Sequence, residues 1–204
     1  MIRVFAALAL CLVAACSGRT DLDEPPVPLG NFALGHNIVV APHPYKGPAS
    51  REAEPDEWIA AVRNAIAARF ERYEGGKLYH LGVSVDGYVL AVPGVPLVLA
   101  PKSALIVNVT LWDDAKGTKV NPEPERMIVL ESISEKTLIS SGLTQSKEEQ
   151  MANLSYNIAK QIERWLEKNA EEFGLNEPVP VQAPAEPEEA ANPDAVAAAP
   201  AAQS

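Results

Sequence analysis

Apolar residues recur at three- and four-residue intervals in two stretches of the chain. In several others they alternate with polar residues, and these two periods lay out the candidate elements. Trp58, Ile59, Val62, Ile66 and Phe70 form a helical stripe, with Arg63, Asn64, Arg69, Glu71 and Arg72 on the other side. Glu54-Pro55-Asp56-Glu57 suits a helix start, because proline lacks the N–H that would go unpaired there and acids favour the positive end of the dipole. Gly75-Gly76 ends the segment, so a helix is predicted over Pro55 to Tyr73. Met151, Leu154, Ile158, Ile162, Trp165 and Leu166 mark a second helix. Ser146 and Glu149 are spaced as a capping box before it, and it ends near Phe173-Gly174.

Alternation marks the strands. Ile38-Val39-Val40, within His36 to Ala41, reads as a short buried strand stopped by Pro42. The proline-rich stretch from Pro42 to Pro55 reads as a loop. Leu81, Val83 and Val85 alternate, and after Asp86-Gly87 the phase shifts to Tyr88, Leu90 and Val92. A two-residue hairpin turn or a bulge within one long strand would each produce that shift, and the short arms favour the bulge. Ala104 to Trp112 is the clearest strand, with Leu105, Val107, Val109 and Leu111 on one face. Asp113-Asp114-Ala115-Lys116-Gly117 makes a turn, Thr118 to Val120 returns, and Arg126 to Ile133 is a further strand. There is no regular alternation of strands and helices. The order therefore predicts an α+β two-layer sandwich, with a mainly antiparallel sheet and two helices on one face.

The first residues follow neither period. After Arg3 an apolar run extends from Val4 to Ala15. As a helix it is about 18 Å long, short of a bilayer span and suited to the apolar core of a secretory signal. It ends in Val13, Ala14, Ala15 and Cys16, which resembles the lipobox of bacterial lipoproteins position by position. The resemblance implies cleavage before Cys16 and attachment of diacylglycerol to its sulfur, with fatty acyl chains such as palmitate as the membrane anchor. One chain holds only marginally, whereas two or three make attachment effectively permanent. Ser17 stands where an aspartate would favour inner-membrane retention in enterobacteria, which points to the outer membrane and a domain facing the periplasm.

Four segments follow: a signal peptide over 1–15, a lipidated flexible tether over 16–30, a globular domain over 31–175, and a tail over 176–204. Asp21, Asp23, Glu24, Pro25, Pro26 and Pro28 give the tether its character. The tail is rich in proline, alanine and glutamate, lacks aromatic residues, and is expected to be disordered. The domain is long enough for one stable core. With 27 acidic against 17 basic residues the chain is acidic, and no stripe of Lys and Arg offers itself to nucleic acid. Cys11 leaves with the signal and Cys16 carries lipid, so the mature protein is expected to have no disulfide and no nucleophilic thiol.

The plan of strand, helix, bulged strand, strand–turn–strand and final helix is similar to small periplasmic α+β lipoproteins of unknown function. It also broadly resembles the lipopolysaccharide-assembly lipoproteins. Asp114 and Gly117 in the turn, and Trp58, Val62 and Ile66 in the helix, carry that resemblance. It implies a fold and no site residues.

The residues offer little chemistry. His36, His43 and His80 lack the spacing of a zinc site, and no cofactor is expected. Asp113-Asp114 precedes Gly117, but Lys116 and Lys119 stand where a calcium loop needs acids. Gly82-Val83-Ser84-Val85-Asp86 lacks the last glycine of a nucleophile elbow, Ser140-Ser141-Gly142 has no nearby base, and Gly75-Gly76 lacks the rest of a phosphate loop. Val92 to Pro101 reads either as a docking flap or as a segment packed on its own domain; Trp165 reads either as exposed or as core. The expectation is a non-enzymatic accessory or assembly module, anchored to a membrane through Cys16 and binding another envelope protein. The alternative is a carrier holding a lipid or other apolar ligand between helices and sheet.

Overall fold

The computed structural model describes residues 21–92, 103–131 and 145–178. Six strands form one sheet: β1 (Phe32–Val40), β2 (Tyr45–Lys46), β3 (Lys77–Val89), β4 (Ala104–Asp113), β5 (Thr118–Lys119) and β6 (Glu125–Leu130). Helix α1 (Pro55–Phe70) joins the β1–β2 region to β3, and α2 (Lys147–Lys168) follows β6. Strand β4 runs antiparallel to β3, β5 and β6, while β1 and β2 lie parallel to β3. The architecture is the expected α+β sandwich with a mainly antiparallel sheet.

Strand β3 is a single long strand. Val85 pairs with Val107 and Gly87 with Ile106, so Asp86 is the extra residue of a bulge. The bulge lets Tyr79, Leu81, Val83 and Val85 before it, and Tyr88 after it, all point into the core. Leu105, Val107, Val109 and Leu111 of β4 point the same way. Against them lie Trp58, Val62, Ile66 and Phe70 of α1 and Leu154, Ile158, Ile162 and Leu166 of α2, all with no exposed surface. Each such side chain contributes about 1.5–3 kcal/mol by leaving water. Phe32 stacks on Tyr79 at 5.5 Å, closing the core at the start of β1.

Both helix starts follow sequence logic. The Ser146 side chain accepts from the Glu149 N–H, and the Glu149 carboxylate accepts from the Ser146 N–H. Glu54 and Glu57 form the same reciprocal pair at α1.

Three expectations change. Strand β1 is longer than predicted and only half buried: Val39 faces the core while Ile38 and Val40 face outward. Within the stretch read as a loop, Tyr45 and Lys46 pair with Gly87 and Tyr88. The third concerns residues 21–30, read as tether: they lie on the domain. Asp21–Asp23 forms a 3-10 turn, Leu29 is buried, and the Asn31 N–H donates to the Leu175 carbonyl at 2.7 Å. The end of the domain thus closes against its beginning.

An uncovered sheet face as candidate functional site

Helices cover one face of the sheet. Alternation sends the intervening side chains to the other face, which no described element covers. Ile38 and Val40 of β1, His80 and Ser84 of β3, Ile106, Asn108, Thr110 and Trp112 of β4, and Ile128 and Leu130 of β6 stand there. Ile38, Ile128 and Leu130 each keep more than half their surface in water, at 57%, 55% and 55%. Scattered exposed aliphatics are ordinary, but here they gather in two groups, Ile38 and Val40 beside Trp112, and Ile128 and Leu130 towards α2, with Ser84, Asp86 and Asn108 between them.

The face holds a groove of about 490 Å³, lined by Ile38, Val40, Gly82, Thr110, Trp112 and Lys119 among others. Its depth comes from Gly82, which sits in register between Ile38 and Thr110 and contributes no side chain to the floor. A Cβ there would meet only the Thr110 carbonyl oxygen, at 3.8 Å. The fold therefore does not require glycine at this position.

A polar cluster closes one end. The His36 N–H donates to His80 Nδ1 at 2.8 Å, which requires that nitrogen to be unprotonated. His80 Nε2 then carries the proton and donates to Asp114 Oδ1 at 2.9 Å. Gly35 lets the ring approach this closely, since a Cβ there would lie 2.4 Å from His80 Nδ1. Lys119 sits over the Trp112 ring at 5.8 Å. Further along the face, Asp86 accepts from Ser84 Oγ at 2.9 Å and from Asn108 Nδ2. His80 is thus engaged with Asp114 and Ser84 with Asp86, and the two do not form a nucleophile–base pair. Among the described residues no three His, Cys, Asp or Glu side chains converge as metal ligands.

A second polar centre lies on the other side of the sandwich, where the sequence reading foresaw only solvent. Arg69, assigned to the outer side of α1, is 2% exposed. Its guanidinium donates to Glu163 at 2.6 Å and to Asp21 at 2.8 Å, and the Tyr73 hydroxyl donates to Glu163 at 2.8 Å. Asp21 also pairs with Lys160 at 2.8 Å and accepts from the Tyr156 hydroxyl. Burial pushes the Asp21 carboxyl up, but the hydrogen bonds and charges of Arg69 and Lys160 outweigh it and hold it below its ordinary value. Burial and then the bond to Glu163 push the Tyr73 hydroxyl far up. Arg72 donates to the Leu22 and Glu24 carbonyls, fixing the same turn. The sequence signal was present: on a helical wheel Arg69 falls inside the sector of Trp58, Val62, Ile66 and Phe70, where a charge needs partners.

The other anticipated positions can be placed. Cys16 and the motif Val13, Ala14 and Ala15 lie outside the described residues, as do residues 93–101 of the candidate flap and Ser140-Ser141-Gly142. Asp114 and Gly117 form the turn as read, with Gly117 at φ 62°. Trp165 packs partly against the core, edge-on to Phe173 at 4.8 Å. Among the described residues, Trp58, Val62, Ile66 and Phe70 of α1 and Leu154, Ile158, Ile162 and Leu166 of α2 are fully buried between helices and sheet, where an apolar ligand was the alternative. No described helix is long and apolar enough to cross a membrane.

No family model matches the chain, and no curated protein matches it. Solved structures resemble it distantly. Protein XCC0632 from Xanthomonas campestris, of family DUF330, is 13% identical with a TM-score of 0.38, over 72% of this chain and 94% of that one. The hypothetical protein CT253 from Chlamydia trachomatis is 9% identical with a TM-score of 0.38, over 67% and 97%. A minor lipoprotein from Acinetobacter baumannii is 16% identical with a TM-score of 0.30, over 67% and 95%. At TM-scores this low, the chemistry of the site rests on its own geometry.

Proposed function

We propose that this chain is a non-enzymatic envelope lipoprotein, anchored through lipid on Cys16 at the outer membrane and facing the periplasm, whose open sheet face docks another envelope protein. The observation that carries the docking is the apolar group of Ile38, Val40 and Trp112 around the groove over Gly82, on a face that no described element covers. The lipobox Val13, Ala14, Ala15, Cys16 supports the anchor. The partner's chemistry follows from the groove: an aliphatic ridge to fill the trough over Gly82, flanked by an acceptor for Lys119.

A photo-crosslinking residue in place of Thr110, in the full-length protein in its own envelope, tests this. One discrete protein adduct is expected, and Gly82→Leu, which fills the trough, abolishes it. An adduct that persists in Gly82→Leu overturns the groove as the site. Adducts with lipid alone would replace a protein partner by an apolar ligand.

A further inference from the structure

Ile128 and Leu130 stand apart from the groove over Gly82, at the margin where β6 meets α2. Strand β6 pairs with β4 on one side and with no described strand on the other. The direction of its backbone groups follows from the register. The Glu131 N–H donates to the Ser103 carbonyl at 2.9 Å, continuing the ladder in which Val129 faces Leu105 and Met127 faces Val107. Antiparallel pairs alternate between those that exchange both backbone bonds and those that exchange none. Met127 and Val129 therefore direct their N–H and C=O groups to β4, while Arg126, Ile128 and Leu130 aim theirs at the outer edge. The Asn157 side chain marks that direction, since its amide donates to the Leu130 carbonyl at 3.1 Å from α2.

Between this edge and α2 lies a cleft of about 540 Å³, with Ile128 and Leu130 on one wall and Asn157, Lys160, Gln161 and Arg164 on the other. Lys160 is held by Asp21 at 2.8 Å. Arg164, and Arg126 on the strand, are exposed and have no ion-pair partner among the described residues. We infer that this edge takes up an extended segment of a partner protein as a further strand, with aliphatic and acidic residues alternating along it. Partner residues opposite Ile128 and Leu130 share the face of those side chains, where aliphatic groups cover them. The residues between point to the helix side, where carboxylates meet Arg164 and Lys160. A lipid has no row of backbone donors and acceptors to match the edge, so a polypeptide is the occupant that suits both edge and cleft. The inference is independent of the groove over Gly82 and of lipid on Cys16.

Amide hydrogen exchange, read by nuclear magnetic resonance on the full-length chain, tests this with the synthetic peptide Val-Glu-Val-Glu-Val-Glu-Val, blocked at both ends. In the protein alone the amides of Ile128 and Leu130 are expected to exchange far faster than those of Met127 and Val129. The peptide slows them severalfold and leaves Gly82 and Thr110 unchanged. The same peptide with lysine for glutamate, or N-methylated at its valines, has no effect. Arg164→Glu weakens binding of the glutamate peptide severalfold. Ile128→Pro removes one outward N–H, leaves the β4 ladder intact and abolishes the protection at Leu130, with the fold checked by far-ultraviolet circular dichroism. Slow exchange at Ile128 and Leu130 without peptide would show that the chain itself occupies the edge and overturns the inference. Equal protection by the lysine peptide, or none by the glutamate peptide at millimolar concentration, overturns it too. Protection by phosphatidylglycerol vesicles and not by peptide would give the cleft to a lipid instead.

Discussion

Asp21 shows how much one side chain can join. Its carboxylate ties the N-terminal turn to both helices, and its depressed pKa makes that tie dependent on pH. The unfolded carboxyl titrates near pH 4, and the folded one below it. The stabilisation is therefore complete above about pH 5 and is lost as pH falls through the folded value. Urea denaturation should show Asp21→Asn less stable than the parent by a constant amount above that pH, with the gap closing on acidification. Arg69 is the harsher substitution. Arg69→Ala leaves Glu163 buried with the Tyr73 hydroxyl and no cation, at a cost of about 3–5 kcal/mol in the same assay. At Gly82 the sign reverses. A Cβ fits, and removing backbone freedom in mid-strand makes Gly82→Ala about 0.5–1 kcal/mol more stable while making the groove shallower. A destabilised Gly82→Ala would show that the strand needs glycine there for a reason other than the trough.

The elements differ in how openly the chain announces them. The helices were legible because their apolar stripes recur at helical spacing and Ser146 and Glu149 mark a start. Ser146→Ala should cost about 1 kcal/mol, read from thermal unfolding of the full chain. Ile66→Ala and Ile158→Ala should each cost about 2–5 kcal/mol in the same measurement, since both side chains are fully buried. The bulge at Asp86 was legible as a change of phase. Strand β1 was read too short, because a register break between Leu34 and Asn37 disrupts its alternation where it begins. Strand β2 carries no signal of its own, since two residues beside prolines become a strand only through the pairing offered by β3. The packing of residues 21–30 was hidden for a different reason. Acids and prolines describe a solvated tether until a buried guanidinium elsewhere in the chain requires a carboxylate. The candidate face was half legible: alternation in β4 puts Ile106, Asn108, Thr110 and Trp112 opposite its core residues, but Ile38 and Val40 of β1 were read as buried, and only the assembled sheet shows that the described helices both choose one side.

At the scale of the whole molecule, the anchor can be checked directly. The intact mass of protein extracted from membranes should match the chain from Cys16 onward plus two or three acyl chains, and Cys16→Ala should lose them and release the protein from the membrane. The meeting of the domain's two ends has a mechanical consequence. Asn31 bonds to the Leu175 and Glu177 carbonyls, Tyr79 and Lys77 bond to the Gly174 carbonyl, and Lys77 and Lys116 hold the Glu177 carboxylate. Tension applied between the N-terminal side and the tail is met by the Asp21 ties to α1 and α2 at one end and by this seam at the other. Both sets of contacts lie outside the ladder of β3 and β4, so they yield first and the sheet beneath them remains unstretched.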